Sequence, residues 1–373
     1  MSTPAAPPVA PELTDGSVRL RPHRQSDVEA MVQMCRDPEM ARWTSVPQPY
    51  GREHAESFVH DIVPRGWAHH DHRGWAIEAV DEDGTARFAG NIDIRGGPVA
   101  DVGFALHPWA RGRGLMHRAL RLATRWCFDE AQVAVVHWRA HVGNTPSRRV
   151  AWKAGFTFDG TTPALLHERG RLIDAWVAHL LPEDPPTPRT TWLETPTIAG
   201  AATTLRPWAQ ADIPRIVEGC SDERTRHWLA HLPQPYSTDD ARHYLASVDE
   251  LASLGLQVGF AVADPDTSQL LGSLGVMGIA EGSAEIGYWT HPSARGRGVM
   301  SEAVRLATDH ALRRSQLGGR GLRRLLLRAG VDNVASRRVA EDAGFTQVGI
   351  EHAVEWLGDG SWADQVRYEL LAG

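Results

Sequence analysis

Cysteine is scarce in this chain: three residues, Cys35, Cys127 and Cys220, in 373. They are odd in number, far apart and outside any CxxC spacing, which excludes a disulfide framework and a cysteine-based zinc site. No apolar run has the length needed to span a bilayer, so no membrane contact is expected. Positive charge is not in excess either. Lys and Arg number 39 against 46 Asp and Glu, a net charge of −7, and no global basic field points to nucleic acid. Met1 to Pro11 is rich in Ala and Pro but has no basic stretch followed by an apolar one, so it is not a secretory signal. Residues 1–12 are expected to form a disordered tail, and the absences together point to a soluble, cytoplasmic protein. With 42% hydrophobic and 23% charged residues the composition is that of a globular fold. The length suits two cores rather than one.

What the chain does contain is repetition. Leu20-Arg21-Pro22 with Asp27 returns as Leu205-Arg206-Pro207 with Asp212, and Pro47-Gln48-Pro49-Tyr50 returns as Pro233-Gln234-Pro235-Tyr236. His107-Pro108-x-Ala110-Arg111-Gly112-Arg113-Gly114-x-Met116 returns as His291-Pro292-x-Ala294-Arg295-Gly296-Arg297-Gly298-x-Met300. Asn144-x-x-Ser147-Arg148-Arg149-Val150-Ala151-x-x-Ala154-Gly155-Phe156 returns from Asn333 to Phe345. Four blocks in one order at a near-constant spacing of half the chain make each copy a whole domain, not a solenoid unit. Leu181 to Pro188 is proline-rich, a stiff linker. The expected division is 13–184, a linker at 185–190, and 191–373.

Each copy reads as strands interleaved with helices, an α/β (α+β) fold. In the first, a strand over Val18–Arg21 precedes helical stretches near 26–35 and 52–60. Strands follow near 75–80, 87–94 and 101–106, the last ended by His107-Pro108. Met116, Ala119, Leu120, Ala123 and Cys127 then fall at helical spacing, as do Met300, Ala303, Val304, Ala307 and Ala311. A β-rich stretch, 133–140, leads to a short helix, 145–154, closed by Gly155 as its C-terminal cap.

The segment Arg111-Gly112-Arg113-Gly114-Leu115-Met116 joins a strand to a helix N-terminus. Two glycines let the backbone turn tightly and approach a bulky anion, while the first-turn N–H groups and the helix dipole hold phosphate. Arg111 and Arg113 add positive charge. A solvated turn is the plain alternative for one such segment, but a second copy in register, Arg295-Gly296-Arg297-Gly298-Val299-Met300, favours phosphate. Without a Gly-Lys-Ser/Thr ending it is no Walker A loop, and the spacing is not GxGxxG.

A strand, then Arg-x-x-Gly-x-Met, an amphipathic helix, and Asn-x-x-Ser…Ala-Gly-Phe resembles the GNAT acetyltransferase superfamily over nearly all of both copies. The regions Leu20–Tyr50 and Leu205–Tyr236 resemble its ribosomal-protein N-terminal acetyltransferase branch. The resemblance implies two tandem acyl-CoA N-acyltransferase domains, each a mixed, mostly antiparallel sheet flanked by helices. It implies acetyl-CoA or another acyl-CoA as co-substrate and no metal. The acceptor would be a small-molecule amine or a peptide or protein N-terminus; the alternatives are an acyl-CoA-binding module with one or both domains non-catalytic, or an aminoglycoside-type antibiotic acetyltransferase. Backbone amides of Arg111 to Met116 and Arg295 to Met300 would hold the pyrophosphate, although Met116 and Met300 replace the family's small sixth residue. Asn144 and Asn333 match the asparagine that contacts pantetheine, and both also suit a helix N-cap. Leu106 and Thr290 match the strand end that binds pantetheine and offers an N–H to the thioester oxygen.

The tyrosine acid of other branches is missing, since its positions are Ala151 and Ala340. Ser147 and Ser336 are the remaining candidates to hydrogen-bond the thiolate, against a plain helix-start role. For the base, the branch places an acid shortly after Gly-Phe. Asp159 fits in the first copy, while the second has Val348 there and only Glu351 nearby. Asp101 and Glu285, on the strand before the loop, are alternatives, although a structural strand-end acid is the plainer reading. His69, His70 and His72 lack a spaced second pair of ligands, so a solvated loop is expected there and not a metal site. Of 14 tryptophans most are expected in cores. The tandem form suits a monomer with a pseudo-dimeric domain pair, or a homodimer.

Overall fold

A computed structural model describes residues 10–373. The expected tail lies outside the described residues up to residue 9, while Ala10 and Pro11 are placed against the first unit. Ala10 is buried, and the Pro11 carbonyl accepts a hydrogen bond from Trp75 Nε1 at 3.0 Å. The chain divides into two compact units between Arg189 and Thr190. Pro185 and Thr187 pack against Gly155, and Arg189 donates to Thr157 Oγ1 at 2.6 Å, so the proline-rich segment lies along the first unit.

The first unit is one eight-stranded sheet of Leu13–Thr14 (β1), Val18–Arg21 (β2), His72–Val80 (β3), Ala86–Gly96 (β4), Val99–Leu106 (β5), Val135–His141 (β6), Thr157–Glu168 (β7) and Arg171–Leu180 (β8). Its order is β1-β2-β3-β4-β5-β6-β8-β7. The second unit repeats it with Ile198–Ala199 (β9), Thr204–Arg206 (β10), Val258–Ala263 (β11), Leu270–Ala280 (β12), Ser283–Thr290 (β13), Arg324–Gly330 (β14), Thr346–Trp356 (β15) and Trp362–Leu371 (β16). In each sheet one pair alone is parallel, β5 with β6 and β13 with β14. All the others are antiparallel, as hairpins and meanders produce.

The helix Leu115–Asp129 buries Leu115, Met116, Ala119, Leu120, Ala123 and Cys127, the stripe its spacing predicts. Val299–Leu312 does the same with Val299, Met300, Ala303, Val304, Ala307 and Ala311. Trp67, Trp75 and Trp126 meet edge-to-face at centroid distances of 5.0 to 5.5 Å in the first core. The three cysteines are free and buried. Among the described residues no helix is long and apolar enough to cross a membrane.

Candidate functional site

The parallel strand pair is the origin of a cleft in each unit. β5 pairs with β6 from Val99↔Val135 to Val102↔Trp138 and no further. Beyond that point β5 stays with β4 as far as Gly90↔Leu106, while β6 follows β8 to His141↔Ala175. The two strands therefore diverge, and one backbone edge of Gly103–Leu106 is left without a strand partner. Such polar groups need another partner, supplied by water or by a ligand. The second unit does the same. β13 leaves β14 after Ile286↔Leu327, yet keeps β12 to Gly272↔Thr290. An ion pair pins each fork just before it opens: Arg139 Nη2–Asp101 Oδ2 at 2.5 Å, and Arg328 Nη1–Glu285 Oε2 at 3.2 Å.

At the mouth of each cleft lies the glycine loop. Gly112 and Gly114 have φ of 74° and 73°, and Gly296 and Gly298 have 71° and 73°, a left-handed backbone that suits glycine. A Cβ at any of the four would meet nothing within 4 Å, so the loop presents bare backbone to open space. Gly114 and Gly298 are the N-caps of the two long helices and provide no side-chain cap. First-turn N–H groups are thus left for a ligand, and the dipole makes an anion the favoured one. Leu115 and Val299 are buried, so only their backbone can serve such a ligand, and Met116 and Met300 line the clefts.

The arginines are not equivalent. Arg111 is bound to Asp37 at 2.6 Å and donates from Nε to the Leu106 carbonyl at 3.2 Å. Arg295 is bound to Asp222 at 2.5 Å and to Thr225 Oγ1 at 2.9 Å. Both anchor the loop to the preceding helical layer. Arg113 donates to the Val80 carbonyl at 2.8 Å, and Arg113 and Arg297 are exposed.

Asn144 and Asn333 are N-caps, their Oδ1 accepting from the N–H of Ser147 at 3.3 Å and Ser336 at 3.2 Å. Both asparagines and both serines also line the clefts, as do Leu106 and Thr290. The serine hydroxyls are held from opposite walls. Trp138 on β6 donates from Nε1 to Ser147 Oγ at 3.0 Å, which leaves the Ser147 O–H free to donate. In the second unit Tyr288 on β13 takes over: its hydroxyl lies 2.8 Å from Ser336 Oγ and donates to the Ser336 carbonyl at 3.1 Å. Burial pushes the Tyr288 phenol up to about 12, so it stays protonated. Tyr288→Phe is expected to cost about 1 kcal/mol. The denaturant midpoint of the second unit reads this, and an unmoved midpoint would contradict the bond.

The candidate bases do not join these groups. Asp159 accepts from His179 Nδ1 at 2.7 Å on the β7–β8 hairpin and does not line the cleft. Glu285 is held by Arg328 on the sheet and does not line its cleft either. His72, expected on a solvated loop, is instead half-buried in β3, where its Nε2 lies 3.7 Å from Asp93 Oδ2. Strand pairing with Arg95 draws it into the sheet. No group of three or more His, Cys, Asp or Glu among the described residues suits a metal.

Other cleft groups carry no sequence motif. The first cleft, about 540 Å³, is lined by Trp43, Asp93, Arg95, His141 and Glu168 in addition to the motif residues. His141 Nε2 lies 3.0 Å from Glu168 Oε2, and burial lowers the imidazole below its ordinary value. The half-buried Asp93 carboxyl is raised by its burial, against the lowering influence of Arg95 and His72. The second cleft, about 500 Å³, is lined by Trp228, Arg328 and Glu355, whose carboxyl burial likewise raises.

Comparison with known proteins gives the following matches. The model of the acetyltransferase (GNAT) domain matches residues 17–157 and again 203–346. A probable N-acetyltransferase, YjcK of Bacillus subtilis, is 28% identical over 142 residues, covering 37% of this chain and 72% of that protein. The ribosomal-protein-serine acetyltransferase of Escherichia coli is 35% identical over 77 residues, covering 21% of this chain and 40% of its own length. The solved ribosomal-protein-S5-alanine acetyltransferase of Vibrio fischeri aligns with 48% of this chain and 97% of its own at 20% identity, with a TM-score of 0.41.

Proposed function

Because the chain belongs to the GNAT acetyltransferase family, twice over, we propose that each cleft holds acetyl-CoA and that the enzyme acetylates a primary amine, foremost a peptide or protein N-terminus, in the cytosol. One observation carries the reading: a forked strand pair opens onto an uncapped, glycine-turned helix N-terminus, in both units. The loop and first-turn N–H groups from Arg111 to Met116, and from Arg295 to Met300, take the pyrophosphate. The open edges ending at Leu106 and Thr290 pair with the amides of the pantetheine arm as a strand would, beside Asn144 and Asn333. An N–H on that edge meets the thioester oxygen as charge develops there. The Ser147 hydroxyl, with its own proton free, steadies the departing sulfur, and Ser336 stands in the same place in the second unit.

The acceptor class rests on the likeness to the Escherichia coli protein, whose own acceptor is a ribosomal-protein serine. A small-molecule amine is the second reading, favoured by the aromatic and polar groups that line the first cleft beyond the motif residues, among them Trp43 and the His141–Glu168 pair. The test is an amine panel of peptides with free N-termini, polyamines and aminoglycosides, followed by thiol release and product mass. Acetylated peptide N-termini are expected to dominate. Thiol release no faster than hydrolysis with every amine would contradict the reading.

A further inference from the structure

The donor halves of the two clefts repeat, while the acceptor halves do not. Across β4 and β5 of the first unit, Asp93 stands opposite Gly103 and Arg95 opposite Asp101. In the second unit the same cross-strand places hold Gly275 opposite Gly287 and Met277 opposite Glu285. The carboxylate beside the fork is thus replaced by hydrogen, and the guanidinium by a thioether.

The space is filled as well as neutralised. A Cβ built on Gly287 would lie 2.4 Å from Met277 Cε, and one on Gly275 would lie 3.0 Å from Met277 Cγ, so the methionine lies across both glycines. Trp289, standing where the first unit has Ala105, packs onto Gly219. The cavities follow these changes. The first runs from β5 onto β4 and takes Asn91, Asp93 and Arg95 into its lining. The second takes no residue from β12 and turns towards Ser301, in the first turn of the long helix, and Arg338 and Asp342 of the helix Val334–Asp342.

From this contrast, and resting on the acetyl-CoA reading above, we propose that acetyl transfer runs in the first unit, where Asp93 receives a proton from the acceptor amine, and that the second unit binds the acyl donor without transferring it. Asp93 suits that task. Its half-buried carboxyl lies beside the fork and is raised above its ordinary value by burial, against the lowering influence of Arg95, whose Nε lies 3.2 Å from Oδ2. In the first unit the ammonium gives one proton to Asp93, which passes it to solvent. The freed nitrogen pair attacks the thioester carbon, the C–N bond forms, and the C–S bond breaks with its electrons on sulfur. The second nitrogen proton ends on that sulfur, so amide and CoA thiol leave with one proton released overall. Glu355 in the second cleft does not replace Asp93. It is tucked against Trp228 and Gly330, on the far wall from β12.

The experiment measures acetyl-CoA stoichiometry by titration and thiol release with an N-terminal peptide, for the full chain and two variants. Asp93→Asn keeps the shape of the side chain; it is expected to bind two acetyl-CoA as before while kcat falls about 100-fold or more. Gly114→Glu is expected to bind one acetyl-CoA, in the second unit, and to release no thiol with the peptide. Retained turnover in Asp93→Asn, or transfer by the Gly114→Glu chain with its second unit loaded, would overturn this assignment alone. Failure of the unaltered chain to bind acetyl-CoA would instead overturn the cofactor reading on which it rests.

Discussion

Gly114→Glu is expected to remove one of the two proposed acetyl-CoA sites, and Gly298→Glu the other. Each glycine is the N-cap of a long helix, at φ of 73°, with nothing within 4 Å of an added Cβ. The added Cβ meets no protein clash, so the effect is expected to fall on the ligand. Left-handed backbone costs a non-glycine residue about 1–2 kcal/mol. A carboxylate at a helix N-terminus recovers up to about 1 kcal/mol of that, so each unit is expected to stay folded. On the proposed reading, the same carboxylate takes the place of the pyrophosphate. At about 4 Å and an effective dielectric near 20, two like charges repel by about 4 kcal/mol, close to a thousandfold in Kd. Titration of each variant with acetyl-CoA is expected to show one binding event fewer than the unaltered chain. Full stoichiometry in both variants would show that the ligand does not use these helix ends.

The second large effect is on stability. Asp27→Ala is expected to unfold the first unit more easily by about 3–5 kcal/mol, because it strips a buried guanidinium of its main partner. Arg21 and Asp27 are each 3% exposed and bind bidentately, Nη1–Oδ2 at 2.7 Å and Nη2–Oδ1 at 2.8 Å. Asp27 also accepts the Arg24 N–H at 2.8 Å, so β2 is tied to the start of the helix Val28–Arg36, whose Met34 and Cys35 line the cleft. Without the carboxylate, Arg21 retains only Glu78, at 2.6 Å from Nε, and the Pro22 carbonyl. The second unit repeats the pair as Arg206–Asp212, but there the arginine side chain is 16% exposed and water can replace the lost acid. Asp212→Ala should therefore cost less. Chemical denaturation followed by fluorescence separates the two cases, and a smaller loss for Asp27→Ala than for Asp212→Ala would refute this ordering.

Those pairs show how much the sequence carries. Leu-Arg-Pro with its following Asp is visible as a repeat, yet that the arginine and aspartate join is a tertiary fact. The glycine loop was legible for a physical reason: left-handed backbone and bare Cα atoms are written in residue type. The long helix was legible because its core stripe is written in spacing, and the asparagine caps because N-cap chemistry is local. The fork itself is not local. It arises because β6 follows β8 while β5 keeps β4, and it depends on the closing hairpin of β7 and β8. That hairpin has register shifts and places Ala164 at φ of 54°, so its alternation is broken and gives little periodic signal.

The proton-handling groups were the least legible. Asp159 and Glu285 have suitable positions in the chain, but the sheet hands them to His179 and Arg328. Asp93 has no motif, and its place beside the fork follows only from its cross-strand register with Gly103. A comparison of the two copies strand by strand would have exposed the exchange of Asp93 for Gly275, since the flanking motifs align. The shift of the serine's partner from Trp138 to Tyr288 is harder to see. The two aromatics lie on different strands, and neither position keeps its residue type in the other copy.

Both clefts are proposed to hold the same acyl donor. Isothermal titration of the full chain with acetyl-CoA tests this directly, with desulfo-CoA as a non-reacting control. Two binding events per chain are predicted, each lost separately with its own loop glycine. No binding of acetyl-CoA would contradict the account.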